Sequence, residues 1–257
     1  MIVPRLEGGL GNQMFQIAAA VGASCKHFCD YGINFDLPHS CIQGHPPTKY
    51  KDNLFNTIPT TDIVPQTFHK EPHFHYHAIP APAEDVLIWG YFQSDKYFEG
   101  FNEEVKKLFT FPEDVVKKID GRLDQIDKHT VGVHVRRGDY LRFPTIHPTC
   151  SVEYYKEAFS KFDDCYFIIA SDDIPWCEQN LQGDNVIFSN CVSELEDMYL
   201  LSQCNSSILS NGSFAWWGSF LGKDKSKVIA PEVWFGSDGY QDYQDIYCEQ
   251  WEKIDAA

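Results

Sequence analysis

Short apolar runs, separated by longer mixed segments, give the second half of the chain a regular pattern. We predict strands at five of them, at residues 131–135, 166–170, 186–188, 207–209 and 228–229. Helix-like segments lie between these runs, at 151–162, 173–181, 194–203 and 214–222. Strands that alternate with helices of this length indicate βαβ units and a parallel sheet covered on both faces. Ligands of such sheets bind at the carboxyl ends of the strands.

The first half of the chain is less regular. Residues 2–6 predict a short strand that leads through a glycine-rich turn into an Ala-rich helix beginning near Gln13. Residues 36–85 hold eight of the 14 prolines, which excludes long helices there. Residues 85–93 predict a buried strand, and the charged, helical segment 102–128 is a plausible connector. We therefore predict an α/β protein in two halves, residues 1–115 and 116–257.

The charge of the chain restricts its ligands. Its 257 residues include 21 Lys and Arg against 37 Asp and Glu, a formal net charge of −16. Such a surface has no general attraction for nucleic acid or for anionic lipid, so we expect no nucleic-acid partner. If the ligand is an anion, the positive charge that it needs must be local.

The lengths of the apolar runs and the number of cysteines indicate the cellular compartment. No run approaches 18 uninterrupted apolar residues, so we expect no transmembrane segment. The first residues lack the basic and apolar regions of a secretory signal. An odd number of cysteines, nine, is more typical of reduced thiols than of a disulfide framework. Together these features predict a cytoplasmic protein.

An arginine pair at the end of a predicted strand is the first candidate for chemistry. In the segment VGVHVRRGDY at 131–140, strand alternation places His134 and Arg136 on one face, with Arg137 at the strand end. Two adjacent guanidiniums can bind phosphate oxygens bidentately. The alternative is an arginine pair that only bridges surface carboxylates.

A second candidate is the turn within SILSNGSFAWWG at 207–218. A strand ends there, Asn211 to Ser213 form a turn, and a helix starts near Phe214. Backbone N–H groups, a hydroxyl and a helix N-terminus at one place suit a phosphate. The alternative is an ordinary serine N-cap, with the two adjacent tryptophans in the core.

The glycine-rich turn at residues 8–13 is a third candidate, and alone it is a weak signal. Gly9 and Gly11 allow the backbone to approach a ligand closely, and Asn12 offers a neutral donor. Neither the dinucleotide-binding glycine pattern nor the lysine of a phosphate-binding loop is present.

These segments together resemble the α-1,2-fucosyltransferase family. The resemblance covers nearly the whole chain, through GGLGNQMFQ at 8–16, VGVHVRRGDY at 131–140, CSVEYY at 150–155, ASDDIPWC at 170–177, LEDMYLLSQCN at 195–205, SNGSFAWWGSFL at 210–221 and DIYCEQW at 245–251. It implies a GT-B-like fold of two Rossmann-like halves. It also implies an inverting enzyme that moves L-fucose from GDP-β-L-fucose to the 2-hydroxyl of a galactoside. The first half would bind the galactose-containing glycan acceptor and the second half the GDP-sugar.

The same resemblance implies a role for each site residue. Arg136 and Arg137 would bind the pyrophosphate, and His134 would lie near the base or ribose. Asp197 would accept the N1–H and N2–H of guanine, although it could equally be an ordinary first-turn acid of its helix. The remaining implied substrate-binding residues are Gly9, Gly11, Asn211, Ser213 and Phe214. The implied catalytic residues are Arg136, Asp139 and Asn12, the last near the glycosidic oxygen.

Two parts of the chemistry stay open at this point. The base that deprotonates the acceptor is not identified, since Asp139 and Glu7 both lie beside the motifs and Asp139 could equally orient Arg136 or Tyr140. We expect no metal and no cofactor besides the donor, because Asp172 and Asp173 suit a helix N-cap better than a metal site. If His73, His75 and His77 formed a strand, their imidazoles would share one side and could bind zinc, a weaker hypothesis. The non-enzyme alternative is a sugar- or nucleotide-binding protein on the same fold.

Overall fold

The chain forms two compact units. The computed structural model describes residues 1–41 and 44–256. Met1–Pro112 and Asp242–Cys248 make the first unit, whereas the second holds Glu113–Gln241 and the chain from Glu249 onward. The chain first passes from one unit to the other between residues 112 and 113, three residues before the division predicted at 115/116. The prediction of a single division did not include the return of Asp242–Cys248 to the first unit.

The first unit is built on a parallel sheet of three strands in the order β1-β3-β2. Its elements are β1 (Ile2–Pro4), α1 (Leu10–His27), β2 (Thr67–Lys70), β3 (Val86–Trp89) and α2 (Asn102–Leu108). The strands predicted at 2–6 and 85–93 form, but each is shorter. The helix predicted from near Gln13 begins three residues earlier, because Gly9 is its N-cap.

The second unit is a parallel sheet of six strands. Its elements are α3 (Glu113–Leu123), β4 (His129–Val135), α4 (Val152–Phe159), β5 (Cys165–Ser171), α5 (Ile174–Asn180), β6 (Val186–Phe188), α6 (Glu194–Gln203), β7 (Ser206–Ile208), α7 (Ser213–Phe220), β8 (Val228–Pro231) and β9 (Glu252–Ile254). The five predicted strands are confirmed to within two residues, and β9 was not predicted. The order β6-β5-β4-β7-β8-β9 is the strand order of a Rossmann fold.

Helices cover both faces of this sheet, as predicted. On one face, Val133 of β4 and Ile169 of β5 pack in the same core as Tyr154 of α4. On the other face, Ile168 packs with Ile119 of α3 and with residues of α6. Alternate residues of one strand thus enter opposite cores, which is why the strands read as continuous apolar runs.

Side-chain caps mark the starts of three helices in the second unit. Ser151, Asp173 and Ser193 each accept a hydrogen bond from a backbone N–H of the first turn of α4, α5 and α6. The N-cap expected at Asp172 and Asp173 is therefore present, at Asp173. Such caps typically stabilise a helix by about 1 kcal/mol.

The predicted connector at 102–128 is two helices, α2 and α3, which end and begin on either side of Pro112. All nine cysteines are free thiols, as expected. Within residues 1–41 and 44–256, no helix has the length and apolar character needed to span a bilayer.

Candidate functional site

The strand order of the second unit reverses beside β4. From β4 the chain proceeds to β5 and β6 on one side, and then returns to β7 on the other. Because β4 and β7 are parallel, with Val133 opposite Ile208, both strands end at the same edge. The crevice at such a reversal is where open α/β sheets bind ligands. The topology therefore brings the arginine pair and the Asn211 turn to one edge.

The arginine pair is held by three aspartates. Arg136 contacts Asp139 through Nη2, and its Nη1 lies 2.8 Å from Asp172 Oδ2. Arg137 donates through Nε to Asp173 Oδ2 at 3.0 Å and through its backbone N–H to Asp172 Oδ1 at 2.9 Å. The carboxylate contacts that the alternative interpretation proposed are therefore present. They orient both guanidiniums.

Gly138 makes this arrangement possible. A Cβ atom at this position would lie 2.4 Å from Asp172 Oδ2, so any other residue would push that carboxylate away from Arg136. The glycine in the HVRRGDY segment therefore allows a carboxylate from the end of β5 to approach closely.

Part of the Arg137 guanidinium remains available as a hydrogen-bond donor. Its guanidinium carbon lies 4.1 Å from the ring centroid of Trp176, and its side chain is 17% exposed. Neither Nη atom of Arg137 makes a hydrogen bond to any of the residues that the structure describes. Stacking and the Nε bond fix the plane of the guanidinium, and its outer edge can still bind an anion.

His134 is buried at the end of β4. Its Nδ1 lies 2.7 Å from Ser210 Oγ, and its ring centroid is 5.2 Å from that of Phe214. Burial, with a further contribution from the charge of Arg136, lowers the pKa of His134 to about 3. The imidazole is therefore neutral near pH 7, and the contact with Ser210 connects β4 to the turn after β7.

This burial predicts a pH dependence of stability. Between about pH 3 and 6.5 the unfolded chain binds a proton at His134 and the folded chain does not. The free energy of unfolding should therefore rise with pH across this window, with His134 contributing up to about 1.4 kcal/mol per pH unit. Denaturant titrations from pH 4 to 6 should give a shallower slope for His134→Gln than for wild type. Equal slopes would contradict the assignment.

Asn211 ties the β7–α7 turn to its surroundings. Its Nδ2 donates to Pro148 O at 2.8 Å and to Trp234 O at 2.9 Å, and the residue is 1% exposed. The backbone carbonyl oxygen of Asn211 accepts a hydrogen bond of 3.1 Å from the Tyr140 hydroxyl. The side chain predicted to bind substrate thus has both amide hydrogens engaged within the protein, which favours a role in holding the turn.

The first turn of α7 presents backbone donors at the same edge. Gly212 is the N-cap and supplies no side chain, so the helix start is open to a ligand. The N–H groups of Phe214 and Ala215 donate to no other residue within the described part of the chain. The helix predicted to start near Phe214 begins one residue earlier, at Ser213, so the alternative of an ordinary serine N-cap at this position does not hold. Trp216 and Trp217 are fully buried, as expected.

Asp197 lies at the same sheet edge but two strands from β4. Its Oδ1 accepts a hydrogen bond of 2.6 Å from Ser189 Oγ, just after β6. Two strand spacings place it about 10 Å from the end of β4. Burial raises the pKa of Asp197 above its ordinary value, although the hydrogen bond from Ser189 acts to lower it.

The glycine-rich segment of the first unit is largely helical. Gly8 has φ +75° and turns the chain, Gly9 caps α1, and Gly11 and Asn12 belong to the first turn of α1 rather than to a loop. Asn12 Oδ1 accepts from Gln93 Nε2 at 2.9 Å. Sequence reasoning missed Gln13, whose buried Nε2 holds the turn by donating to Gly8 O and His45 O.

Glu7, one of the two candidate bases, is engaged within the first unit. Its Oε1 lies 2.8 Å from Arg5 Nη2, and its Oε2 accepts from Trp89 Nε1 at 3.0 Å. Asp139, the other candidate, contacts Arg136. Both carboxylates therefore hold a neighbouring side chain.

Two residues of the second unit were missed by sequence reasoning. Tyr140 places its ring 5.3 Å from the guanidinium carbon of Arg136 and stacks on His147 with centroids 4.7 Å apart. His147 has a buried Nδ1 without a hydrogen-bond partner among the described residues. Tyr140 lies inside the HVRRGDY motif, which was a usable signal, whereas nothing in the sequence distinguished His147.

Comparison with known sequences identifies a matching family and several relatives. Residues 5–255 match the model of a family described as glycosyl transferase family 11. An alpha-1,2-colitosyltransferase of Escherichia coli is 28% identical, over 99% of this chain and 99% of the relative. The galactoside 2-alpha-L-fucosyltransferase Sec1 of Mus musculus is 26% identical, over 86% of this chain and 64% of the relative.

Solved structures agree with the fold. The fucosyltransferase NodZ from Bradyrhizobium has a TM-score of 0.59 at 14% identity, over 86% of this chain and 93% of that one. A NodZ alpha-1,6-fucosyltransferase soaked with GDP-fucose has a TM-score of 0.55 at 13% identity, over 90% and 95% of the two chains. At such identities the likeness concerns the fold, and it confirms the predicted α/β, GT-B-like class.

Proposed function

This chain belongs to glycosyl transferase family 11, and we propose that it transfers L-fucose from GDP-β-L-fucose to the 2-hydroxyl of a galactoside with inversion. The observation that carries the proposal is the reversal of strand order at β4 and β7. That reversal brings the Arg136–Arg137 pair to the same edge as the open first turn of α7. The named activity of the Mus musculus relative supports fucose and a galactoside.

The chemistry requires stabilisation of a departing diphosphate. Negative charge develops on the phosphate oxygen as its bond to the sugar breaks, and oriented donors lower the energy of that state. The outer nitrogens of Arg137, the charge of Arg136 and the N–H groups of Phe214 and Ala215 are suited to this task. The aspartates hold the guanidiniums in place before the substrate arrives, so little reorganisation is needed.

The acceptor must lose a proton as the new bond forms. Because Asp139 contacts Arg136, we propose that it positions the guanidinium, which would make it a positioning residue. Asn12, held by Gln93, is proposed to lie near the glycosidic oxygen, and the first unit is proposed to bind the glycan. The aromatic residues Trp89 and Tyr91 there are half-buried and could stack on sugar rings.

A second donor sugar has its own support. The relative whose match covers 99% of both chains is named an alpha-1,2-colitosyltransferase. A GDP-activated colitosyl donor would use the same diphosphate site and the same linkage, so the two donors differ only in their sugar contacts.

The proposal is tested with donors and acceptors in one assay. The purified chain is incubated in excess EDTA with GDP-L-fucose and a panel of galactosides, and the product linkage is determined by NMR. We expect an α-1,2-linked fucosyl galactoside and stoichiometric GDP. If the folded protein neither transfers nor hydrolyses the donor, the binding-protein alternative is favoured. Transfer only from the colitosyl donor would replace fucose by colitose. Activity lost in EDTA and restored by Mg²⁺ would contradict a metal-independent reaction.

Asp197 provides a prediction about the nucleotide base. If its carboxylate pairs with the N1–H and N2–H of guanine, Asp197→Asn should weaken GDP binding by about 5- to 150-fold, because those donors lose their acceptors. ADP binding should change little, since adenine lacks this donor pair. Calorimetric titration of both nucleotides into folded protein measures the difference.

The matched control for this prediction is Asp184→Asn, the same change at an exposed aspartate just before β6. It should leave both affinities unchanged. Unaltered GDP affinity in a folded Asp197→Asn variant would show that Asp197 does not bind the nucleotide and only accepts the hydrogen bond from Ser189.

A further inference from the structure

We propose that the first unit carries a site for a divalent transition metal such as Zn²⁺, formed by His73, His75 and Asp242. One ligand atom from each residue lies within 4.8 Å of the others. All three residues belong to the first unit, where Asp242 begins the returning segment Asp242–Cys248. The proposal rests on these residues alone and is independent of the fucosyltransferase function.

The spacing of two ligands already suits a metal ion. His75 Nδ1 lies 3.2 Å from Asp242 Oδ2. In a tetrahedral site with bonds of about 2.0–2.1 Å, neighbouring ligand atoms are about 3.3 Å apart. A metal ion could therefore replace the direct contact with little movement of either group.

The third ligand is close and able to move. The imidazoles of His73 and His75 are stacked, with centroids 3.7 Å apart and planes at 17°. Both residues are exposed, so a rotation of His73 meets little packing resistance, although it breaks the 3.1 Å contact between His73 Nδ1 and His75 O. Two histidines and one carboxylate leave one tetrahedral position for water.

The carboxylate is oriented in advance. Asp242 Oδ2 accepts from the backbone N–H of Phe74 at 2.9 Å and from that of His75 at 3.4 Å. Such outer contacts hold a ligating carboxylate in place.

Two more histidines, His69 and His77, lie beside the proposed ligands. His77 Nε2 lies 3.2 Å from His69 Nε2, and the ring of His77 is 5.3 Å from that of His73. Imidazole nitrogens are common ligands of Zn²⁺, so these rings enlarge the set of nitrogen donors around the site. The formal charge of −16 further favours a cation.

The structure corrects the idea of a zinc-binding strand. Residues 73–77 form no strand, because backbone N–H groups of this segment donate to Asp242 and Asp245 instead. The third ligand is accordingly Asp242 rather than His77. A bound ion would tie the returning segment to the 73–75 turn, and we infer that it stabilises the first unit.

The test uses the whole chain without a polyhistidine tag, stripped of metal with EDTA and then freed of the chelator. Zn²⁺ is titrated calorimetrically, and Co²⁺ is added to a second sample for its visible spectrum. We expect one Zn²⁺ per chain, the absorption of four-coordinate Co²⁺, and a rise in Tm of about 5–10 °C at a 100-fold excess of Zn²⁺ over its Kd.

Variants assign the ligands. His75→Ala and Asp242→Asn should each weaken Zn²⁺ binding at least 100-fold, whereas His39→Ala, at an exposed histidine of the same unit, should bind as wild type does. Asp242→Asn keeps an acceptor for the backbone N–H groups, so it serves if His75→Ala does not fold. No binding by wild type at 100 μM Zn²⁺, or equal binding by all folded variants, would overturn the site.

Discussion

Arg136→Ala is expected to lower kcat/KM by about 30- to 900-fold, equivalent to about 2–4 kcal/mol of transition-state binding. The substitution removes a charge from the edge where the diphosphate is proposed to leave. It also leaves Asp139 and Asp172 without their cation, so that two carboxylates would then face the phosphates. The loss should therefore exceed that of a surface ion pair, about 0–1 kcal/mol.

Two further variants separate charge from geometry. Arg136→Lys should recover only part of the activity, because an ammonium cannot contact both aspartates as the planar guanidinium does. Arg142→Ala, at an exposed arginine six residues along, should be near wild type. A folded Arg136→Ala variant with wild-type kcat/KM would remove Arg136 from the proposed site.

Asn211→Ala should lower the free energy of unfolding by about 2–4 kcal/mol. The reason is that the carbonyls of Pro148 and Trp234 would each lose a buried donor. If the amide instead serves mainly to bind substrate, stability should stay near wild type while donor affinity falls. Denaturant titrations and donor titrations of the same variant distinguish the two roles.

Asn185→Ala is the matched control for this change. Asn185 is exposed and its amide donates once, to Cys165 O at 3.0 Å. Its replacement should cost about 1 kcal/mol or less. Equal costs for the two substitutions would contradict the structural role of Asn211.

Local pattern was sufficient to predict the main elements of the second unit. Its strands are buried on both faces, so each reads as an apolar run between polar loops. β9 was not predicted because it is an edge strand in which Glu252 and Lys253 precede a single apolar residue, Ile254. The return of Asp242–Cys248 to the first unit was not predicted for another reason. It depends on hydrogen bonds such as that from the Tyr76 N–H to Asp245, 169 residues away.

The sequence pointed to residues of the candidate site but not to the contacts between them. The motifs identified Arg136 and Arg137, because arginines directly after a strand are unusual on an acidic protein. The sequence did not indicate that Asp172 and Asp173 would hold them, since these residues follow a different strand and meet the pair only through the β4–β5 register. Partner choice of this kind is a property of tertiary packing.

The most direct test of the central claim is a crystal structure of the chain with GDP bound. The diphosphate oxygens should lie within about 3 Å of the Nη atoms of Arg137 and of the backbone N–H of Phe214, typical of charge-assisted hydrogen bonds. Guanine should extend toward Asp197. A diphosphate bound elsewhere, with both arginines still contacting only their aspartates, would contradict the proposed site.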